Sequence, residues 1–171
     1  EWFQRAVDLD PSRPAAYLYI GNLYLEQKDY RQAEEYYRKA TQLQPNLYNG
    51  FWNLGWLYEL QENWEAAYQE YSKCVPLQPE LEAEFRLKLG EMKSKQAEWR
   101  AAEQEYFHVL HKWPDNPNVV NRIHILVEDM SLVPEQRAEA QRVLDELRAW
   151  KIRRGEDYEA NYLNRSGNIH Y

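Results

Sequence analysis

A repeat of 34 residues is the feature that most constrains the fold of this chain. When the 171-residue sequence is compared with itself at that offset, residues 17–45 ("YLYIGNLYLEQKDYRQAEEYYRKATQLQP") align with residues 51–79 ("FWNLGWLYELQENWEAAYQEYSKCVPLQP"). The pairs that coincide are Gly21 and Gly55, Tyr24 and Tyr58, Ala33 and Ala67, Tyr37 and Tyr71, and Pro45 and Pro79. A period of this length is typical of supersecondary units that bury their apolar faces by stacking on one another.

A third copy follows at an offset of 35 residues, and part of a copy precedes the first. The residues that recur are Gly90, Trp99, Ala102, Tyr106 and Pro114 in the third copy, and Phe3, Ala6 and Pro11 upstream. The additional residue of the third copy lies between Pro79 and Gly90, near the start of its first helix. The upstream residues correspond to the second half of a repeat, so we interpret the chain as a fragment of a longer protein.

Each copy is predicted to form two helices joined by a short turn. In the second copy, apolar residues recur at helical spacing, first at Phe51, Leu54, Gly55 and Tyr58 and then at Ala67, Tyr71 and Cys74. Asp29 and Asn63 are suitable N-caps for the second helices. The small residues Gly55 and Ala67 indicate a close approach of two antiparallel helices, with Tyr58 and Tyr71 filling the space beside it. Pro79 sets the end of the second helix, because proline cannot continue it.

This pattern closely resembles the tetratricopeptide repeat, a helix pair of 34 residues. The residues that carry the resemblance are Phe51, Leu54, Gly55, Tyr58, Ala67, Tyr71 and Pro79. The resemblance implies an all-α, right-handed solenoid of antiparallel helix pairs. The third copy departs from the pattern at Arg86 and Lys93, where an aromatic residue is usual. Lys28, Glu62 and Ala97 stand where the family usually has a turn glycine.

The expected organisation has six segments. Residues 1–13 are the second helix of a truncated leading repeat, residues 14–47, 48–82 and 83–116 are three full repeats, residues 117–154 are a degenerate closing helix pair, and residues 155–171 are a polar tail. In the closing pair, Val120, Ile123 and Val127 are expected on one face of the first helix, and Pro134 in the first turn of the second. A blurred terminal repeat is typical of a solvated end of a solenoid.

In the family that this chain resembles, the first helix of each pair lines a concave surface that binds peptides. Carried across by position, the lining residues are Leu18, Asn22, Leu25, Trp52, Asn53, Trp56, Glu59, Leu87, Lys88, Glu91, Lys95, Asn121 and Arg122. Trp52 and Trp56 are four residues apart and project from one side of a helix. Two interpretations remain open for them: an aromatic surface for a peptide, or packing against a neighbouring helix.

Some members of the family bind the C-terminal carboxylate of heat-shock chaperones through a clamp of Lys, Asn, Asn, Lys and Arg. Asn22 and Asn53 match the two asparagines, and Lys88 replaces the arginine. Leu18 and Glu84 stand at the two lysine positions, and a glutamate there would repel the carboxylate. Charge complementarity therefore argues against this clamp.

Composition and motifs argue against several other functions. The net charge of −7 and the pI near 5.2 disfavour nucleic acid, which clustered lysines and arginines bind. No apolar run approaches the roughly 20 residues that span a bilayer, and the composition is that of a soluble segment, for which we favour the cytoplasm. His108 and His111 lack the further ligands of a metal site, and Cys74 suits a small buried position. No catalytic or cofactor-binding motif is present.

The sequence therefore predicts a protein interaction scaffold that binds a peptide or partner domain, without enzymatic activity or a cofactor. The alternative is a non-catalytic module of a larger enzyme or membrane-anchored protein, such as a glycosyltransferase or polymerase. The tail carries apolar residues at Tyr158, Tyr162, Leu163, Ile169 and Tyr171. We expect it to lie on a helix face, either in its own solenoid or in a neighbouring molecule. Docking in a neighbouring molecule would produce self-association.

Overall fold

A computed structural model of the chain describes residues 10–154. The predicted tail and most of the predicted leading half-repeat lie outside the described residues. Within residues 10–154 the secondary structure consists of eight α-helices and two short 3-10 helices, with no strand. The α-helices are α1 (Pro14–Glu26), α2 (Tyr30–Leu43), α3 (Tyr48–Leu60), α4 (Trp64–Leu77), α5 (Glu82–Lys95), α6 (Trp99–Lys112), α7 (Val119–Ser131) and α8 (Arg137–Arg153). The predicted all-α class is confirmed.

The chain divides into two compact units, and the first extends to Val119. In this first unit, α1 packs on α2, α3 on α4 and α5 on α6, and these helix pairs stack through α2 on α3 and α4 on α5. The shared core is continuous from one pair to the next and includes Tyr37, Leu54, Leu57, Tyr71 and Met92. Each helix pair therefore buries its apolar face against its neighbours, as the repeat predicted.

A glycine and a tyrosine bring the two helices of each pair together. A Cβ atom added at Gly55 would lie 2.6 Å from the ring of Tyr71, which leaves no room for any other residue. The same contact recurs between Gly21 and Tyr37 and between Gly90 and Tyr106. The predicted close approach at Gly55 is confirmed, and Ala67 is fully buried.

The prediction for Tyr58 needs a correction. Tyr58 is buried, but it does not only fill space beside Gly55, because its hydroxyl donates a hydrogen bond of 2.6 Å to Glu34 in the preceding pair. The residue thus joins one helix pair to the next. Its neighbour in space comes from 24 residues earlier in the chain, which local helical spacing does not reveal.

The turns inside the three pairs adopt one conformation. Lys28, Glu62 and Ala97 have φ angles of 59°, 56° and 58°, in the left-handed region that glycine adopts most readily. A left-handed conformation costs residues other than glycine about 1–2 kcal/mol each. The predicted N-caps follow these turns: the Asp29 carboxylate accepts from the backbone N–H of Gln32, and the Asn63 side chain accepts from that of Ala66.

Pro79 and the additional residue of the third repeat set the boundary between α4 and α5, whereas Pro76 lies in the last turn of α4. The helix α4 ends at Leu77, two residues before Pro79, as predicted. A 3-10 helix at Pro79–Leu81 then leads directly into α5. The helix α5 has 14 residues whereas α1 and α3 have 13, so it accommodates the additional residue.

The second unit begins at Val120 and includes most of α7 and all of α8. The buried residues of α7 are Val119, Ile123, Leu126 and Met130. Val120, Ile123 and Val127 were expected on one face of this helix. Of the three only Ile123 is buried, and Val120 and Val127 are half-buried, because the buried stripe continues through Leu126 and Met130 instead. The helix α8 buries Ala140, Val143, Leu144, Leu147 and Trp150, and Pro134 lies in the 3-10 helix before it.

Candidate interaction face

The first helices of the three pairs lie side by side and form one face of the first unit. Hydrogen bonds join Asn22 of α1 to Asn53 of α3, and Glu59 of α3 to Lys88 of α5. We call this surface the first-helix face. It consists of Tyr19, Asn22, Glu26, Asn53, Trp56, Glu59, Leu60, Glu84, Lys88, Glu91 and Lys95.

An amide pair lies at the α1–α3 side of this face. The Oδ1 atom of Asn22 accepts hydrogen bonds from the Tyr37 hydroxyl at 2.7 Å and from Nδ2 of Asn53 at 3.3 Å. Burial of Tyr37 raises the pKa of its hydroxyl to about 12, so the hydroxyl remains a donor. Within residues 10–154, the NH2 group of Asn22 and the carbonyl oxygen of Asn53 form no hydrogen bond, which leaves a donor and an acceptor available to a ligand.

A charged cluster replaces the amide pair at the α3–α5 side. Trp56 occupies the position of Asn22 in the second repeat, so Tyr71 donates instead to Oε2 of Glu59 at 2.8 Å. Burial and the Glu59 carboxylate both raise the pKa of Tyr71. Lys88 Nζ donates to both oxygens of Glu59, at 2.9 and 3.1 Å, and lies 3.5 Å from Oε2 of Glu91. The charge of Lys88 is therefore offset by two carboxylates.

The two tryptophans of α3 have different surroundings. The Trp52 ring lies 4.8 Å from the Tyr71 ring and 5.6 Å from the Phe85 ring, measured between centroids. Trp56 is 46% exposed. The packing interpretation therefore applies to Trp52 and the surface interpretation to Trp56. Trp52, which was carried across as a lining residue, is partly buried and packs against Phe85 of the next pair.

The remaining predicted residues divide between the core and the surface. Leu25 and Leu87 are buried, so they do not line a binding surface, and Leu18 packs partly buried against the core. Lys95 is exposed at the end of α5. Asn121 is exposed and Arg122 half-buried on α7 of the second unit.

Two exposed apolar residues of the first-helix face were missed in the sequence. Tyr19 is 54% exposed and Leu60 is 46% exposed. The repeat itself contained the signal, because Tyr19 corresponds to Asn53 and Lys88, and Leu60 corresponds to Lys95. Tyr19 and Leu60 could therefore have been predicted as lining residues, because other members of their repeat positions were.

The candidate metal ligands have other neighbours. Nε2 of His108 lies 3.3 Å from the Glu82 carboxylate, and the ring of His111 packs on Phe107. Among residues 10–154, no three His, Cys, Asp or Glu side chains form a group that could hold a metal ion. Cys74 is fully buried, as expected, and burial raises the pKa of its thiol to about 12.

Comparison with known proteins identifies the repeat. The sequence model of the tetratricopeptide repeat family matches residues 14–47. These residues form a tetratricopeptide repeat. Comparison with curated protein sequences gave no match.

Solved structures show the tetratricopeptide fold over a larger part of the chain. The N-terminal domain of stress-induced protein-1 (STI-1) from C. elegans is 24% identical, with a TM-score of 0.60 over 66% of this chain and 93% of that domain. The first TPR of Spaghetti (RPAP3), bound to the HSP90 peptide SRMEEVD, is 19% identical, with a TM-score of 0.59 over 71% of this chain and 96% of that one. PilF of Pseudomonas aeruginosa is 20% identical, with a TM-score of 0.62 over 84% and 63%.

These similarities confirm the predicted α-solenoid of tetratricopeptide helix pairs. At this level of identity they establish the fold only. Of the helices within residues 10–154, none is long and apolar enough to cross a membrane.

Proposed function

We propose that this chain is a protein interaction module that binds a peptide or partner domain on its first-helix face, without catalysing a reaction. The observation that carries the proposal is the combination on one surface of a half-exposed tryptophan, Trp56, and the amide pair of Asn22 and Asn53. Large exposed rings supply contact area at interfaces, and free amide groups can bind a peptide backbone.

The comparisons support this proposal. One similar solved structure, the first TPR of Spaghetti, is bound to a peptide. The first-helix face of this chain also has the half-exposed Tyr19 and Leu60 beside its polar groups. The same face would serve equally well if the chain were a module of a larger enzyme or of a membrane-anchored protein.

The test is to select binding peptides from a random display library and to map one of them on the protein by NMR chemical-shift perturbation. We expect the perturbed amides to lie on α1, α3 and α5. Trp56→Ala should weaken binding at least about 5-fold, since aromatic residues often contribute 1 kcal/mol or more to an interface. Perturbations confined to α2, α4 and α6 would refute the proposal.

Leu43 offers a matched control. It is 45% exposed, close to the 46% of Trp56, but it lies on the second helix α2. Leu43→Ala should leave the affinity for the selected peptide unchanged. Equal losses in the two variants would show that the peptide binds exposed apolar side chains without regard to the first-helix face.

A further inference from the structure

Four uncharged side chains form a line across the first-helix face. On α1, Tyr19 precedes Asn22 by three residues. On α3, Trp56 follows Asn53 by three residues, so each ring is one turn from an amide. A hydrogen bond of 3.3 Å from Nδ2 of Asn53 to Oδ1 of Asn22 joins the two helices at the centre of the line. Because short turns join both helices to α2, α1 and α3 run in the same direction, and the two rings lie on opposite sides of the amide pair.

The separation of the two rings follows from helix geometry. Three residues rise about 4.5 Å along each helix, and the axes of neighbouring helices are about 8–10 Å apart. The rings are therefore roughly 13 Å apart across the amide pair. An extended chain rises about 3.3 Å per residue and places alternate side chains on the same side. Residues i and i+4 of an extended segment would thus reach both rings, with residue i+2 above the amides.

Each end of the line has room for a large apolar side chain. Tyr19 is 54% exposed and Trp56 is 46% exposed. Leu60 follows Trp56 by four residues with the same exposure, so it widens the apolar surface at that end. Exposed rings bury a large area on binding and lose little conformational freedom. Both ends therefore suit the anchoring of an apolar residue.

The amide pair suits the backbone between those anchors. The Tyr37 hydroxyl donates to Oδ1 of Asn22 at 2.7 Å, so the NH2 group of Asn22 is the part available to a ligand. Among residues 10–154, no hydrogen bond uses the carbonyl oxygen of Asn53. An extended segment has N–H and C=O groups that need partners, whereas a helix has already paired its own. A small residue at i+2 would let the backbone approach the amides.

The charges beside the line disfavour an acidic ligand. Glu59 accepts from Lys88 at 2.9 and 3.1 Å, so these two charges offset each other. Glu26 is exposed and follows Asn22 by four residues. Because α1 and α3 are parallel, this carboxylate is at about the same level as Trp56. An acidic residue between the two anchors would therefore be repelled.

We infer that the first-helix face binds an extended peptide segment with large apolar residues at positions i and i+4, a small residue at i+2 and no acidic residue between them. One apolar side chain would lie on Tyr19 and the other on Trp56 and Leu60. The backbone between them would lie on the amides of Asn22 and Asn53. This inference rests on the proposed function and specifies the conformation and the residue spacing of its ligand.

Other occupants fit this line less well. Residues four apart in a helical ligand are separated by only about 6 Å along its axis, so they do not reach both rings. The tail of this chain has tyrosines at the inferred spacing, Tyr158 and Tyr162, but Glu159 lies between them. Acidic peptides in general would meet Glu26 and Glu84, which are both exposed.

The test is a set of NMR titrations of the full chain with capped peptides of one composition. The reference peptide, SSFSGSFSS, has phenylalanines four residues apart with glycine midway between them. Its two counterparts, SSFSGFSSS and SFSGSSFSS, have the phenylalanines three and five residues apart. Only the reference peptide places both rings on one side of an extended chain. We expect it to bind at least about 5-fold more tightly than either counterpart, since an aromatic anchor often contributes 1 kcal/mol or more.

Three further probes test the small residue and the charge. SSFSISFSS replaces the central glycine by isoleucine, which would hold the backbone away from the amides. SSFEGEFSS places glutamates between the phenylalanines, and a synthetic peptide of residues 155–171 carries the sequence of the tail. Each should bind at least about 3-fold more weakly than the reference peptide, through a lost hydrogen bond or through repulsion.

Two variants connect the spacing preference to the rings. Tyr19→Ala and Trp56→Ala each remove one end of the line, so the three spacing peptides should then bind within about 2-fold of one another. Leu43→Ala is the control, because Leu43 is similarly exposed on α2, and the spacing preference should remain intact. Circular dichroism checks that each variant is folded. The titrations of the unmodified chain test the inference even if a variant does not fold.

The outcomes separate this inference from the proposed function. Equal binding at spacings of three and four residues is the behaviour of a helical ligand and would overturn the inference. Failure of the reference peptide to bind, or equal binding of the isoleucine, glutamate or tail probe, would overturn it as well. In each of these cases, a library-selected peptide that perturbs α1, α3 and α5 would still support the proposed function. Perturbations confined to α2, α4 and α6 would refute the proposed function itself.

Discussion

The two junctions between successive repeats differ in the size of the side chains at equivalent positions: the first junction has smaller residues and the second has larger ones. Where α2 meets α3, a Cβ atom added to Gly50 would lie 2.6 Å from Cγ2 of Thr41 and 3.8 Å from Leu18. The corresponding residues of the second junction are Trp52, Val75 and Phe85. There the rings of Trp52 and Phe85 are 5.6 Å apart, so residues of larger volume occupy all three positions.

This difference shows that the volumes at a junction depend on one another. Protein interiors are close-packed, so a glycine on one helix requires that its neighbours approach closely, and a phenylalanine requires that they leave space. The glycine and tyrosine inside each helix pair are the same in all three repeats, and both belong to one repeat. The junction residues do vary, since each must fit a partner from another repeat.

The polar edges of the two junctions also differ. At the first junction Tyr58 donates a hydrogen bond to Glu34, and burial, followed by this bond, raises the pKa of Tyr58 to about 12. Lys93 occupies the same position at the second junction, where its Nζ atom lies 3.2 Å from Glu65 and 4.4 Å from the ring centroid of Tyr68. A lysine with an acidic and an aromatic partner thus replaces a tyrosine.

The largest expected effect is that of removing the ring that fills the second junction. Phe85 is 1% exposed and contacts Trp52 and Tyr48, so Phe85→Ala should lower the free energy of unfolding by about 3–5 kcal/mol. Leu18→Ala should cost less, because Leu18 is only partly buried at the first junction. Urea unfolding followed by circular dichroism measures both. Equal costs would contradict the assignment of the larger buried volume to the second junction.

The two tryptophans of α3 test the same junction from the other side. Trp52→Ala should lower the free energy of unfolding by about 3 kcal/mol, because its ring packs between Tyr71 and Phe85. Trp56→Ala should change it by less than about 1 kcal/mol, as most exposed substitutions do. The measurement is again urea unfolding. A similar cost for both variants would mean that Trp56 also belongs to the core.

The tight first junction should respond in the opposite way to added volume. Gly50→Ala should lower the free energy of unfolding by about 1–3 kcal/mol through overpacking against Thr41. In a Thr41→Ser background the interfering methyl group is absent, and alanine should be neutral or stabilising, since it favours a helix by about 1 kcal/mol over glycine. A double-mutant cycle of thermal and urea unfolding checks this coupling. An equal loss in both backgrounds would show that another contact excludes the Cβ atom.

These differences mark the limit of what the sequence alone could predict. Helix spacing and the 34-residue period predicted the helix pairs, the N-caps Asp29 and Asn63, and the close approach at Gly55, because each depends on residues within one repeat. The period could not separate Trp52 from Trp56, since both lie on the same side of α3. Their difference depends on Phe85, about 30 residues further along the chain. Leu25 and Leu87 were assigned to the surface by position in the repeat alone, and both are buried.

The smallest expected effect concerns the ion pairs that surround Arg86 in the third repeat, where the other repeats have an aromatic residue. Glu82 accepts from Lys112 and from Arg86 at 2.8 Å each, and these charged hydrogen bonds lower the pKa of Glu82 from 4.5 to about 2. A carboxylate whose pKa is lowered by folding stabilises the protein above its unfolded pKa, and this stabilisation is lost as the pH falls through the folded pKa.

Glu82→Gln should therefore lower the free energy of unfolding by about 1 kcal/mol or less at pH 7, and the difference from the unmodified protein should disappear between about pH 4.5 and pH 2. Urea midpoints measured across that range test the prediction, with Glu135→Gln as the control. A difference that persists at pH 2, or that 1 M salt does not reduce, would show that Glu82 contributes through packing and not through its charge.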